Sequence, residues 1–260
     1  MNPSSLLTSH TMTVIITPSP RTIRSRPSKA ILCIHGTGGS ANIFRVQTSK
    51  LRMALRHDFE FVYATAPFES EPGPGILPLF RDLGPYYTWV KKAISENNPT
   101  VSERLQAMQG SIRTAIQDWQ GRNPHIPIVG TLAFSEGALV AALMMWEQQM
   151  GRLSWLPKME VAMLICCYYT EEATEHMKAD KKATHDGVEE QPLIKVPTLH
   201  IQGLQDVGLE GSRKLAATHF FPQKGTVQEF QGGHHVPNRK GDVDEAARRF
   251  TNLYARQGLR

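Results

Sequence analysis

Apolar and β-branched residues gather into six short runs along the chain, at positions 30–34, 59–64, 126–134, 161–167, 198–202 and 226–230. Most are continuous rather than alternating, the pattern of strands buried on both faces of a parallel sheet. Longer stretches with helical spacing lie between them. Over 101–120 the apolar positions Val101, Leu105, Met108, Ile112, Ile116 and Trp119 recur every three or four residues, which makes one stripe down a helix. Segments 136–150 and 242–257 read the same way. The last opens on Asp242, Asp244 and Glu245, charges that suit the positive end of a helix dipole. Strands alternating with helices predict an α/β fold, with a mostly parallel central sheet flanked by helices, in one domain over 30–260.

Two segments break the alternation. Residues 67–99 are rich in Pro and Gly and carry Phe80, Tyr86, Tyr87 and Trp89, so they form an irregular excursion, either a cap over a pocket or a loop packed on the surface. Residues 168–191 are dense in charge, with Glu171, Glu172, Glu175, Lys178, Asp180, Lys181 and Lys182, and are expected to be a flexible insertion, a movable flap or a solvated helix.

Composition narrows the function. A chain of 260 residues with 40% hydrophobic and 20% charged side chains is neither disordered nor fibrous. Its longest apolar window, 138–146, stops at Glu147, far short of the roughly 20 residues that a membrane span needs. A net charge of +5, thinly scattered, argues against nucleic-acid binding and favours acidic partners. The charge is uneven: no Asp or Glu precedes Asp58, whereas Arg21, Arg24, Arg26, Lys29, Arg45, Lys50, Arg52 and Arg56 all do. Residues 1–29 read as a flexible basic arm. Pro18, Pro20 and Pro27 break the amphipathic helix that a transit peptide would need, and Val14 to Ile16 is too short for the core of a secretory signal. Cys33, Cys166 and Cys167 sit in apolar runs, which predicts buried thiols and a reducing, cytoplasmic compartment.

The sharpest chemical signal is Ala133-Phe134-Ser135-Glu136-Gly137, where an apolar strand gives way to a helix. That context turns a G-x-S-x-G pattern into a nucleophile elbow, in which a strained turn lifts the serine hydroxyl above the sheet. Gly137 satisfies the pattern; Ala133 adds a methyl group where glycine is usual. A serine hydroxyl needs a base against it, and the base needs an orienting acid, expected in the chain order Ser, acid, His. Asp206 follows a strand and is the preferred acid, with Glu171 and Glu172 as rivals after another. Gly232-Gly233-His234-His235 supplies the base, either His234 or His235, and the rate is expected to rise with pH as that base loses its proton. Backbone N–H groups of Glu136 and of Thr37, in His35-Gly36-Thr37-Gly38-Gly39, are the expected oxyanion donors.

The same glycines spell a rival. Gly36 to Ala41 matches G-x-G-x-x-A, the fingerprint of a nicotinamide-dependent oxidoreductase, but the ribose-binding acid due at the end of the next strand is replaced by Ala64, Thr65 and Ala66. Metal catalysis lacks both H-E-x-x-H and C-x-x-C. A hydrolase-shaped binding protein without turnover rests on Ala133 alone.

Several stretches together resemble a known family. Leu32-Cys33-Ile34-His35-Gly36, Ile43-Phe44-Arg45-Val46-Gln47, Phe59-Glu60-Phe61-Val62 with Ala66-Pro67, Phe134-Ser135-Glu136-Gly137-Ala138, and Gly233-His234 with Pro237-Asn238 are similar to fungal serine hydrolases of the α/β-hydrolase fold. That family includes stand-alone polyketide-releasing thioesterases. The stretch from Gly73 to Tyr87 resembles members that serve statin-type pathways. The resemblance implies Ser135 as nucleophile, Asp206 as acid and His234 as base, acting without a cofactor on an acyl thioester held by an acyl carrier domain of a polyketide synthase. Phe80, Tyr86, Tyr87 and Trp89 would then line the site of an apolar polyketide acyl chain. The alternative is a general carboxylesterase on small esters, which would share every catalytic residue.

Overall fold

The computed structural model describes residues 27–90, 100–178, 182–183, 189–190 and 192–257. Most of the expected basic arm, the last nine residues of the excursion and parts of the charged insertion lie outside the described residues. In chain order the elements are β1 (Ala30–Ile34), α1 (Ala41–Gln47), α2 (Ser49–Leu55), β2 (Glu60–Ala64), β3 (Phe68–Ser70), β4 (Tyr86–Thr88), α3 (Val101–Arg122), β5 (Ile128–Phe134), α4 (Glu136–Gln149), β6 (Val161–Ile165), α5 (Glu171–Lys178), β7 (Lys182–Ala183), β8 (Glu189–Glu190), β9 (Thr198–Gly203), α6 (Leu209–His219), β10 (Gly225–Phe230) and α7 (Lys240–Ala255).

All six runs read from the sequence become strands of one sheet, in the order β10-β9-β6-β5-β1-β2. Every pairing in it is parallel. This is the expected α/β architecture. Successive side chains leave a strand on opposite faces. In β1, Ala30, Leu32 and Ile34 join one core with α3, α4, α5 and α6, while Ile31 and Cys33 join a second core with α1, α2 and α7. The sheet is therefore covered on both sides. The predicted stripe of α3 is largely borne out, since Met108, Ile112 and Ile116 are buried and Leu105 and Trp119 pack against the same core. Thr100 and Glu103 form a reciprocal capping box at its start.

The chain order creates a switch point. From β1 it moves outward to β2, then returns to β5 on the other flank, and such reversals open a crevice at the carboxyl ends of the strands. The candidate residues collect at this edge.

Three expectations are corrected. Strand β6 ends at Ile165, two residues early, because Cys166 turns into the left-handed region at φ 46°. Its N–H still donates to the Ile201 carbonyl at 2.8 Å, and its thiol lies under Gly233 and His235. The first part of the charged insertion is an anchored helix rather than a flap, because Ala173, Thr174 and Met177 of α5 are buried. Ion pairs from Glu171 to Lys214 and from Glu172 to Arg104 tie down its polar face. The excursion starts with a hairpin of β3 and β4, and Ile43, Ile76 and Phe80 form a small core of their own beneath it. Among the described residues no helix is long and apolar enough to cross a membrane. All three cysteines are free and buried, as expected.

Buried histidines make stability depend on pH: burial lowers the pKa of His35, His200 and His219 alike, and the first two show how. His200 of β9 lies edge-on to Phe220 with centroids 4.6 Å apart, and its Nε2 has no partner. Burial pushes its pKa down to about 4 from the ordinary 6.5. The same cause, opposed by a hydrogen bond with the Gly36 carbonyl, brings His35 to about 4. Both stay neutral in the fold while the unfolded chain takes up protons, so their contribution is present above pH 6.5 and is lost as pH falls toward 4. Within that window each adds a slope of about 1.4 kcal/mol per pH unit. Urea midpoints should therefore drop between these values, and His200→Leu should make the drop shallower; an equally steep drop in the variant would exclude His200 as a source.

Candidate active site

The hydroxyl at the carboxyl end of β5 owes its position to a turn that few residues tolerate. Ser135 has φ 56° and ψ −123°, a conformation disfavoured for a residue with a Cβ and the backbone of a nucleophile elbow. The surroundings hold it there. The Ser135 N–H donates to the Ile165 carbonyl at 2.9 Å, and the Ser135 carbonyl accepts from Ala138, Leu139 and Tyr168. Helix α4 leaves so close to β1 that a Cβ on Gly137 would lie 2.3 Å from the His35 carbonyl oxygen and 2.4 Å from that of Ile34. The glycine after the serine is thus obligatory. The one before it is not, because the methyl group of Ala133 is accommodated in the core.

The structure brings Ser135, Asp206 and His234 together. His234 Nε2 lies 2.7 Å from Ser135 Oγ, and its Nδ1 lies 2.9 Å from Asp206 Oδ2. The other carboxylate oxygen of Asp206 accepts the Gly208 N–H at 2.8 Å, which fixes the rotamer. Glycines let the histidine loop fold back over β9: a Cβ on Gly203 would meet the carbonyls of Gly232 and Gly233 at 2.7 and 2.5 Å. The Gln205 N–H donates to the Gly232 carbonyl and holds the loop down. Phe134 faces the His234 ring at 5.0 Å. His235 turns away, with Nδ1 at the Val236 carbonyl and its ring against Phe230. Glu171 and Glu172 lie on α5 in exposed ion pairs, away from the imidazole.

A thiol completes the cluster. Cys166 Sγ lies within 4.8 Å of ligand atoms of both Asp206 and His234. Burial first, and then the Asp206 carboxylate, push its pKa up to about 12, so it stays a neutral thiol. Sequence reasoning read it only as a buried residue on a strand.

Beside Ser135, the loop after β1 runs across the crevice. Among the described residues no backbone carbonyl accepts the N–H of Thr37 or of Glu136, which leaves both for a ligand. The His35 ring orders the loop from below: its Nε2 accepts the Ala66 N–H at 3.0 Å and its Nδ1 lies 2.7 Å from the Gly36 carbonyl. The excursion presses on the loop from above. Tyr87 donates its N–H to the Gly39 carbonyl at 2.8 Å, and a Cβ on Gly38 would lie 1.9 Å from the Gly73 nitrogen. The segment that matched a dinucleotide fingerprint is therefore covered by protein backbone where a pyrophosphate would sit.

The four aromatics of the excursion have structural roles that the sequence did not reveal. Trp89 is fully buried and donates its indole N–H to the His35 carbonyl at 2.8 Å, so the expectation that it lines an acyl site is corrected. Phe80 is also buried, in the small core with Ile43 and Ile76. Tyr86 donates its hydroxyl to the carbonyls of Phe80 and Arg81, and Tyr87 packs on the main core. The exposed apolar side chains beside the site are others: Tyr168, whose N–H donates to the Ser135 carbonyl, and Leu204 and Val207, which flank Asp206 in the chain.

A family model described as "Serine hydrolase (FSH1)" matches residues 25–246. The chain belongs to the FSH1 serine hydrolase family. Among its relatives, this serine hydrolase is 54% identical over 233 residues to "Esterase mlcF" of Penicillium citrinum, covering 88% of this chain and 91% of that one. It is also 54% identical over 239 residues to the "Dihydromonacolin L-[lovastatin nonaketide synthase] thioesterase" of Aspergillus terreus, covering 88% and 93%. In fold, the hydrolase is similar to the crystal structure of Zea mays acyl-protein thioesterase 2, with a TM-score of 0.55, 16% identity, and 89% and 96% of the two chains covered. The serine hydrolase thus has the α/β-hydrolase fold.

Proposed function

We propose that this serine hydrolase is a thioesterase that releases a reduced polyketide chain, of the statin type, from an acyl carrier domain. The observation that carries the reading is the continuous chain of hydrogen bonds from Asp206 through His234 to Ser135, next to two unclaimed N–H groups. Ser135 Oγ attacks the thioester carbonyl while His234 takes its proton, and Asp206 stabilises the imidazolium that forms. The N–H groups of Thr37 and Glu136 receive the oxyanion. Collapse of the tetrahedral intermediate expels the phosphopantetheine thiol, protonated by His234, and leaves an acyl-enzyme. Water, deprotonated by His234, then attacks the ester and frees a carboxylic acid.

The name of the Aspergillus terreus relative supports the thioester, and the exposed apolar side chains beside Ser135 and Asp206 support a greasy acyl group. The basic balance suits an acidic carrier domain, and the free buried thiols suit the cytoplasm. The test compares a carrier-bound acyl thioester with a simple ester of equal acyl length. The thioester should be cleaved at least tenfold faster in kcat/KM, a barrier difference of about 1.4 kcal/mol. Equal rates, or faster cleavage of the ester, would instead point to the carboxylesterase reading that the name of the Penicillium relative suggests.

A further inference from the structure

The side chain of Glu136 takes no part in the steps above, yet it is the most densely hydrogen-bonded carboxylate near the nucleophile. It is 4% exposed, and no cation is paired with it among the described residues. Removing a carboxylate from water in this way is costly unless donors replace the water. Here they do. The Thr88 hydroxyl lies 3.0 and 2.9 Å from the two carboxylate oxygens, Oε2 accepts the Trp89 N–H at 2.9 Å, and Oε1 accepts the Val90 N–H at 3.2 Å. The segment that supplies these donors also grips the loop after β1, since the Tyr87 N–H donates to the Gly39 carbonyl and the Trp89 indole N–H to the His35 carbonyl, each at 2.8 Å. The place of Glu136 in the first turn of α4 adds the favourable end of a helix dipole.

The donors all come from Thr88 to Val90, a segment with no covalent reason to stay beside Glu136 or beside the Thr37 loop that it grips. Thr88 to Val90 end the hairpin of the excursion, and Thr37 carries one of the oxyanion donors. The other donor is the backbone of Glu136 itself. We infer that the Glu136 carboxylate is the positioning group of the oxyanion hole, fixing the Thr37 loop and the base of the excursion relative to the backbone N–H that follows the nucleophile. This rests on the serine acyl-transfer reading of the site. A carboxylate suits the task better than an amide, because both of its oxygens accept. In glutamine one of them becomes an NH₂ group, which would face the N–H of Trp89 or Val90 with nothing to accept it.

The test uses Glu136→Gln and Thr88→Val in the full chain, with Ser135→Ala as control. Substrate is whichever acyl ester or thioester the wild type cleaves. A trifluoromethyl ketone of the same acyl chain reports the tetrahedral state, and the free acid reports ground-state binding. Glu136→Gln should lower kcat by about 10²-fold, the scale of one lost oxyanion donor, with KM within about twofold. Affinity for the ketone should fall by the same factor, and affinity for the acid should hold. Thr88→Val, which removes one donor and keeps the shape, should show a smaller loss in the same ratio, and it carries the test if Glu136→Gln does not fold.

Equal losses for ketone and acid would reduce Glu136 to a merely structural residue and overturn the inference. So would an unchanged or raised kcat. If Ser135→Ala keeps its activity, the acyl-transfer reading itself falls. If that control is inactive while Glu136→Gln is unaffected, only the positioning role falls.

Discussion

Ser135→Ala is expected to lower kcat by about 10⁶-fold on any acyl substrate of the wild type, while circular dichroism and the unfolding midpoint stay close to wild type. The size of the loss follows from the geometry. In the proposed mechanism His234 Nε2 takes its proton from Ser135 Oγ, 2.7 Å away, so removing Oγ would leave the proposed base and oxyanion donors without a nucleophile. Preserved stability follows because Ala keeps the Cβ that the turn already tolerates. The strain makes a second readout possible. At φ 56° and ψ −123° a glycine has no Cβ to clash, so Ser135→Gly should be as inactive as Ser135→Ala but more stable, by about 1–3 kcal/mol in urea. Activity within tenfold of wild type in either variant would remove Ser135 as the nucleophile; a glycine variant less stable than wild type would mean that the elbow stores no strain.

Asp206→Asn should cost about 10⁴-fold in kcat with the fold intact. Asp206 has two jobs that the amide cannot do together. One oxygen is committed to the Gly208 N–H, and the other accepts the proton on Nδ1 of His234, leaving Nε2 free to accept from Ser135. In the variant, if the amide oxygen keeps the Gly208 N–H, its NH₂ faces Nδ1, and the ring adopts the tautomer with its proton on Nε2. That nitrogen can no longer take the serine proton. The matching control is Glu171→Gln. Glu171 lies in an exposed pair with Lys214, so this change should alter the rate by less than about threefold. Steady-state kinetics on one acyl substrate decide between the two acids, and a larger loss at Glu171 would reverse the assignment.

Much of the framework was legible because the signals are local. Continuous apolar runs marked the six strands of the sheet to within about two residues, since strands buried on both faces admit few polar side chains. The elbow was legible for the same reason: Ser135 and Gly137 are two residues apart, and the Gly137 requirement comes from its own helix meeting β1. Helices α1, α2 and α6 were not called out from periodicity, because each is short and only part of its surface touches a core. The anchoring of α5 was hidden behind its charges, whose partners Arg104 and Lys214 are remote in the sequence. Trp89 read as a ligand-facing aromatic, because nothing nearby shows that its indole would reach the His35 carbonyl.

The order of residues alone determined the α/β layering, the serine on its turn, and a short set of acids and imidazoles in the right succession, because backbone preference and hydrophobic period act over a few positions. Only the tertiary structure showed that His234 rather than His235 meets Ser135, and that Asp206 rather than either glutamate meets His234. It alone revealed that Glu136 meets Thr88, Trp89 and Val90 of the excursion. Those choices depend on where loops from β1, β5, β9 and β10 arrive at a single edge of the sheet, and hydrogen bonds of 2.7 to 3.0 Å between residues up to 99 positions apart are set by that packing rather than by any local pattern.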